Sequence, residues 1–260
     1  MKRPFAQFGI FWLSGFILLW SGILSSCTSA KSVEATYHDI SSELAYDLTT
    51  TPYPDERETV IALHPIQDLE METSTTVKRK SRVVLPFIFI NTVNETYRAT
   101  LGQQHYNQSY AQFLTDALLA ECNRSASFYL ENLEEAKEEA DYFLNIEVIK
   151  NKTTGKLKAF GHILFSPEDL LDISSSYEAQ ESNTELVLLV RLTDSDRIVY
   201  EQEFAVKLES KASGNSQEYM IDACIESVEL MSERLSEATK QIVEEIKSHL
   251  SLFVLSQSPR

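Results

Sequence analysis

From about Asn215 to Ser251 the chain keeps a single apolar stripe. Met220, Cys224, Val228, Met231, Leu235, Ala238, Ile242, Ile246 and Leu250 recur every three or four residues. Glu226, Glu229, Glu233, Glu237, Lys240, Glu244 and Lys247 take the other faces. This spacing predicts one long amphipathic helix. Its stripe needs a cover. The simplest cover is a sheet along which the helix lies; its length keeps a coiled-coil partner open as the alternative.

The remainder supplies strands. Thr59–Leu63 is a short one, halted by Pro65. Met71–Val77 is an edge strand or a loop. Arg82–Ile90 is apolar on both alternating faces, which predicts a strand covered on both sides. Pro86 donates no ladder hydrogen bond, so pairing should stop or bulge there. Asn91–Gln108 reads as polar loop. Tyr110, Phe113, Leu114, Ala117, Leu118 and Cys122 then fall at helical spacing, with Asn107 or Ser109 as the cap. Phe128–Leu130 is a short strand, and Glu131–Glu139 an acidic helical turn. Asp141–Lys150 alternates, and Asn151–Gly155 has turn composition, so Lys156–Phe165 is expected to return as a hairpin partner. Residues 166–183 form a polar insertion, and Glu185–Leu192 a buried strand. Asp194–Asp196 turns the chain into a half-exposed strand over Ile198–Leu208. The expected fold is α/β. A mixed, mostly antiparallel sheet is packed by a helix near 105–124 and a long carboxy-terminal helix near 215–251.

The amino-terminal end is of another kind. Lys2 and Arg3 precede a run from Pro4 to Leu24 without a charge. Basic start, apolar centre and small residues at the end are the parts of a secretory leader; an uncleaved membrane helix is the alternative. Leu24-Ser25-Ser26-Cys27 resembles the lipobox of bacterial lipoproteins. The resemblance implies cleavage before Cys27 and acylation of its sulfur. Thr28, standing where Asp would mark inner-membrane retention, implies the outer membrane, facing the periplasm, ahead of the inner membrane or the cell surface. The expected plan is a leader over 1–26, a flexible linker over 27–58 rich in Ser, Thr, Glu and Asp, a periplasmic domain over 59–252 and a tail over 253–260. A short helix is expected within the linker, near Ile40–Leu48.

Charge narrows the partners. The chain carries a formal charge of −16, and the leader holds two basic and no acidic residues, so the processed form stands at −18. Such a balance repels nucleic acid and anionic headgroups. Lys78-Arg79-Lys80 with Arg82 is a local exception, read either as a solvated strand entrance or as an anion site. Cys122 and Cys224 either pair in an oxidising compartment or sit unpaired in the core.

Val83-Val84-Leu85-Pro86-Phe87 with Asn91 resembles the start of TolB amino-terminal and curli-secretion-channel domains. Ala140-Asp141-Tyr142-Phe143-Leu144-Asn145-Ile146 and the Thr193–Val199 hairpin resemble later parts of those domains. The resemblance spans about 59–250. It implies a lipoprotein that binds or assembles envelope components, including as a homo-oligomer, rather than an enzyme.

No residue pattern declares catalysis. Gly-x-Ser-x-Gly and Ser-x-x-Lys are absent. His38, His64, His105, His162 and His249 are scattered, without zinc-ligand spacing. No cofactor or metal is implied. Tyr97, Tyr106, Tyr110 and Tyr129 gather around the first helix as core or as an aromatic binding surface. The expected function is therefore a lipid-anchored, non-enzymatic binding protein with its membrane tether at Cys27 and a protein partner in the envelope. An auxiliary lipoprotein of an ABC-type lipid or lipopolysaccharide transport system is a second reading, favoured by any buried apolar channel. An envelope hydrolase with an unrecognised site is a third.

Overall fold

The structure is a computed structural model and describes residues 30–48, 51–54, 56–69, 73–84, 89–136, 139–165, 172–195, 197–211 and 215–257. Helix α1 spans Ala30–His38, and β1 spans Val60–Leu63. A long pair follows, β2 (Ser74–Val84) and β3 (Phe89–Thr100). A 3-10 turn at Gln103–His105 leads to α2 (Tyr110–Ser125), β4 (Tyr129–Asn132) and the four-residue α3 (Leu133–Ala136). Strands β5 (Tyr142–Phe165), β6 (Asp172–Asp194) and β7 (Arg197–Lys211) precede α4 (Met220–Gln257).

The sheet is mixed and mostly antiparallel, as the sequence predicts, with seven strands among the described residues. Strand β5 is its spine. On one side β6 runs antiparallel to it along almost its whole length, and β7 adds to β6. On the other side β5 is shared. Its start pairs in parallel with β1, which carries β4; its end pairs antiparallel with β3, which carries β2. The far end is thus a four-stranded blade of β2, β3, β5 and β6, projecting from a base covered by helices.

Helix α4 lies along one face of this sheet. Its buried residues, among them Cys224, Val228, Met231, Leu235, Ile242, Ile246 and Leu250, follow the predicted stripe. They meet Leu144, Ile146, Leu157, Leu186, Leu188, Val190, Leu192 and Phe204 from the strands. A fully buried Leu or Ile contributes about 1.5–3 kcal/mol, so this seam dominates the fold. The helix continues past the expected end at 251. Phe253 packs on the core and Val254 is buried, so part of the expected tail belongs to the domain. Helix α2 starts where Ser109 caps it, the Ser109 hydroxyl accepting from Gln112 N–H at 3.1 Å.

Four expectations are corrected. Arg82–Ile90 is not one strand: Val84 stands opposite Ile90 in an antiparallel pair, and the chain between them holds Pro86, which cannot carry a ladder. Asn91–Thr100 is strand rather than loop, because its polar residues alternate with Tyr97 and Ala99 on the covered face. There is no hairpin at Asn151–Gly155. The 24-residue β5 runs straight through, with a register shift between Val148 and Lys150. That shift moves the inward side chains from even positions (Leu144, Ile146, Val148) to odd ones (Asn151, Thr153, Leu157). Gly155 serves close packing there: a Cβ would lie 2.7 Å from Met231 Sδ and 2.9 Å from Ser227 Oγ. Finally, the expected insertion over 166–183 is in its described part strand, since β6 begins at Asp172.

The expected linker is also different. Val33, Tyr37 and Leu44 are buried in the core, and the helix lies at Ala30–His38 rather than near Ile40–Leu48. His105, fully buried, holds the segment through its Nδ1, 2.9 Å from the Ile40 carbonyl. Burial lowers the pKa of His105, and the Ile40 contact only partly offsets this. A base whose folded pKa is depressed stabilises fully above its unfolded value of about 6.5 and progressively less as pH falls below it. The denaturant midpoint should therefore fall between pH 7 and pH 5, and by less in His105→Gln.

Cys122 and Cys224 are both free and buried. Burial pushes each thiol up to about 12. Neither should react with a thiol reagent at pH 8 in the native protein, and both should react in denaturant. Rapid native labelling of either would contradict this packing.

Candidate anion-binding face

The helices cover one face of the sheet and leave the other open. On β5 beyond the register shift, even-numbered residues point to the open face, as do the even residues of β2 and β3. Strand register then fixes which side chains meet. Thr76 stands opposite Arg98, and Arg98 opposite Lys156. Lys78 stands opposite Thr96, and Thr96 opposite Lys158. Lys80 stands opposite Asn94, and Asn94 opposite Phe160. Three neighbouring rungs thus place five cations together.

These residues line an open cavity of about 480 Å³: Lys78, Lys80, Arg98, Lys156, Lys158 and Phe160 with Thr76, Asn94, Thr96 and Glu95. A second cavity of about 420 Å³ shares Thr76 and Arg98 and adds Lys152, Lys207 and Glu185. Among the described residues, Lys78, Lys80, Arg98 and Lys158 form no ion pair with a carboxylate, whereas Lys152 stands opposite Glu185. Lys156 Nζ lies 2.9 Å from Glu181 Oε1. The carboxylate of Glu95 is engaged elsewhere: Tyr97 donates its hydroxyl to it, and Arg79 Nε stands 3.3 Å away. Acidic side chains return on β6, with Glu178 opposite Lys158 and Glu181 opposite Lys156. The positive field is therefore a strip on the β2–β3–β5 half of the blade. Several unpaired ammonium and guanidinium groups at this spacing can hold phosphate or carboxylate oxygens through charge-assisted hydrogen bonds.

The sequence cluster is split by the fold. Lys78 and Lys80 join the strip, and Arg79 turns to Glu95. Arg98, Lys156 and Lys158 were not singled out from sequence because they lie on other strands. The readable signal was the Lys-x-Lys spacing at 78–80 and at 156–158, which puts both lysines of each pair on one strand face. Tyr97, Tyr106 and Tyr110 are core residues, so they form no aromatic surface. Tyr129 is exposed, with the Arg57 guanidinium 5.0 Å from its ring centre. Among the described residues no cluster of three or more His, Cys, Asp or Glu could hold a metal ion. Cys27 lies outside the described residues, as does the rest of 1–29.

A polar cluster inside the molecule is structural. Glu121 of α2 is fully buried, and Lys247 of α4 reaches it at 2.9 Å. Ser125 Oγ donates to Glu121 Oε1 at 3.1 Å, and Tyr46 OH donates to Oε2 at 3.4 Å. The cluster joins α2, α4 and the segment after α1.

No family model matches the chain, and no curated protein is similar to it. Among solved structures it is similar to the crystal structure of protein XCC0632 from Xanthomonas campestris, described under the family model DUF330. The identity is 14%, the TM-score 0.44, and the match covers 84% of this chain and 100% of that one.

Proposed function

We propose that this chain is a lipid-anchored, non-enzymatic binding protein of the bacterial envelope, and that it takes an anionic partner on the open face of its blade. The observation that carries the reading is the strip itself. Lys78, Lys80, Arg98, Lys156 and Lys158 converge on one uncovered sheet face of a chain whose formal charge is −16. Holding like charges together costs stability, and an anionic partner offsets that cost. The lipobox-like Leu24–Cys27 supplies the tether, and the TolB-like sequence features support the envelope setting.

The test places a photo-crosslinking residue at Thr96, between Lys78 and Lys158, in the full-length protein in its own membranes. Adducts, protein or lipid, are identified by mass. We expect adducts at Thr96 and their loss, at least tenfold, when Lys78→Glu and Lys158→Glu are combined with the probe. Labelling at Thr96 no stronger than at Ile198, exposed in the turn region between β6 and β7, overturns the reading. Fractionation of Cys27→Ala tests the tether: an unaltered mass and full membrane retention would replace the lipid anchor by an uncleaved helix.

A further inference from the structure

Resting on the anion-binding reading of the same face, we infer that the ligand is an acidic glycan, a linear oligosaccharide that carries carboxylate or phosphate groups. Its acid groups lie over Lys78, Lys80, Arg98 and Lys158. One sugar ring packs on Phe160, and the chain continues towards Thr154 and Asn183.

Three observations carry this. The first is how the cations are grouped. Thr96 stands between Lys78 and Lys158, and Arg98 is the next residue of β3 on the open face. Neighbouring strands lie about 5 Å apart, and successive residues on one strand face about 7 Å apart. Three cations therefore surround Thr96 within reach of a single acid group. Lys80, one rung on, opens a second position. Lys78, Lys80 and Arg98 are all exposed. A chain that repeats its acid groups can satisfy both positions at once, each group accepting from its own cations.

The second is what stands between the cations. Apart from Glu95, which is engaged by Tyr97 and Arg79, the rest of the first cavity is Thr76, Asn94, Thr96 and Phe160. A protein partner favours an apolar centre and a centre poor in lysine. Here lysines hold the centre. Among the described lining residues Phe160, 37% exposed, is the single apolar one. Asn94 stands opposite it in the ladder. An aromatic face beside an amide suits a sugar, whose C–H groups pack on the ring and whose hydroxyls bond the amide and the threonines. An acidic peptide would use the cations and leave these groups idle.

The third is continuity. The second cavity shares Thr76 and Arg98 with the first and adds Ser74, Thr100, Thr154 and Asn183. Its charge is mostly balanced: Glu185 lies 2.7 Å from Lys150, and Lys207 lies 2.9 Å from Glu209. From Phe160 to Lys152 is eight residues of β5, about 27 Å. The face is thus long, rich in hydroxyl and amide groups, and cationic at one end. A chain of several sugars can lie along it.

The test is calorimetry on the full-length protein in a neutral, sugar-free detergent. The probes are hexagalacturonate, phosphorylated maltohexaose, plain maltohexaose and hexaglutamate. We expect at least one of the two acidic glycans to bind, less tightly as salt rises, and plain maltohexaose not to bind. Which of the two binds tells carboxylate from phosphate. Hexaglutamate should bind about tenfold more weakly, lacking the sugar contacts. Lys78→Gln with Lys158→Gln should weaken glycan binding about 100-fold, at about tenfold per cation, with the thermal transition retained. Phe160→Ala should weaken it about fivefold and leave hexaglutamate unchanged. Asn183→Glu, which adds a charge to the second cavity, should weaken it as well; an unchanged affinity there overturns the extended placement. Failure of both acidic glycans at low salt overturns the inference. If hexaglutamate binds as tightly as either glycan and Thr96 still yields adducts, the proposed function stands and this inference falls. If no anion binds and Thr96 yields no adducts, both fall.

Discussion

Lys247→Met should cost about 3 kcal/mol, and lower the melting temperature by about 6–12 °C in a domain of this size. The reason lies in what remains. Glu121 is fully buried, and Lys247 is its charged partner at 2.9 Å. Without the ammonium, the carboxylate keeps the hydroxyl donors Ser125 at 3.1 Å and Tyr46 at 3.4 Å but loses its charged partner. Removing one member of a buried pair leaves the other desolvated and uncompensated, whereas removing both leaves neither. The double variant Glu121→Leu/Lys247→Met should therefore recover most of the loss, and the cycle should give a coupling well above 1 kcal/mol. Urea denaturation of the four proteins measures it. A Lys247→Met loss below about 1 kcal/mol would mean that water reaches Glu121 and that the pair behaves as a surface bridge.

Much of the fold was legible because it is written in local periods. The stripe from Met220 to Leu250 is a helix period carried over many turns, and the structure follows it from Met220 to Gln257. The turn at Asp194–Asp196 was equally plain, and Ser195 takes the left-handed conformation such a reversal uses (φ 54°). What misled was composition that pointed one way while tertiary context went the other. Asn151–Gly155 has turn residues, yet Thr153 is buried with its hydroxyl 3.1 Å from that of Thr184, and Gly155 makes room for Met231. Polar strands such as Asn91–Thr100 hide in the same way, since one polar face is all an open sheet demands. The basic strip was half visible. The sequence shows Lys78-Arg79-Lys80 with Arg82 as one cluster, but register alone brings Arg98, Lys156 and Lys158 to Lys78 and Lys80, and register is not a property of any single segment.

Tyr37→Ala carries the consequence for how the protein is held. A tyrosine in a flexible linker could be truncated at no cost to folding. Here Tyr37 is 1% exposed and belongs to the core with Val33 and Leu44. Truncating a buried aromatic costs about 3–5 kcal/mol, through lost burial and the cavity left behind. We expect a loss in that range, with α1 released, since Val33 alone offers little to keep nine residues helical. Amide exchange should show it: protection over 33–37 lost in the variant and present in the wild type. The release should also change what the anchor can do. With α1 packed, three residues separate Cys27 from the folded domain; with the segment loose up to Ile40, thirteen do, and the reach grows from about 10 Å to more than 40 Å. In membranes, crosslinking at Thr96 to whatever lies at the bilayer surface should fall, while the lipid on Cys27 and total membrane association stay unchanged. Wild-type exchange over 33–37 as fast as an unstructured peptide would instead restore the stalk, and with it a domain free to search for partners well away from the surface.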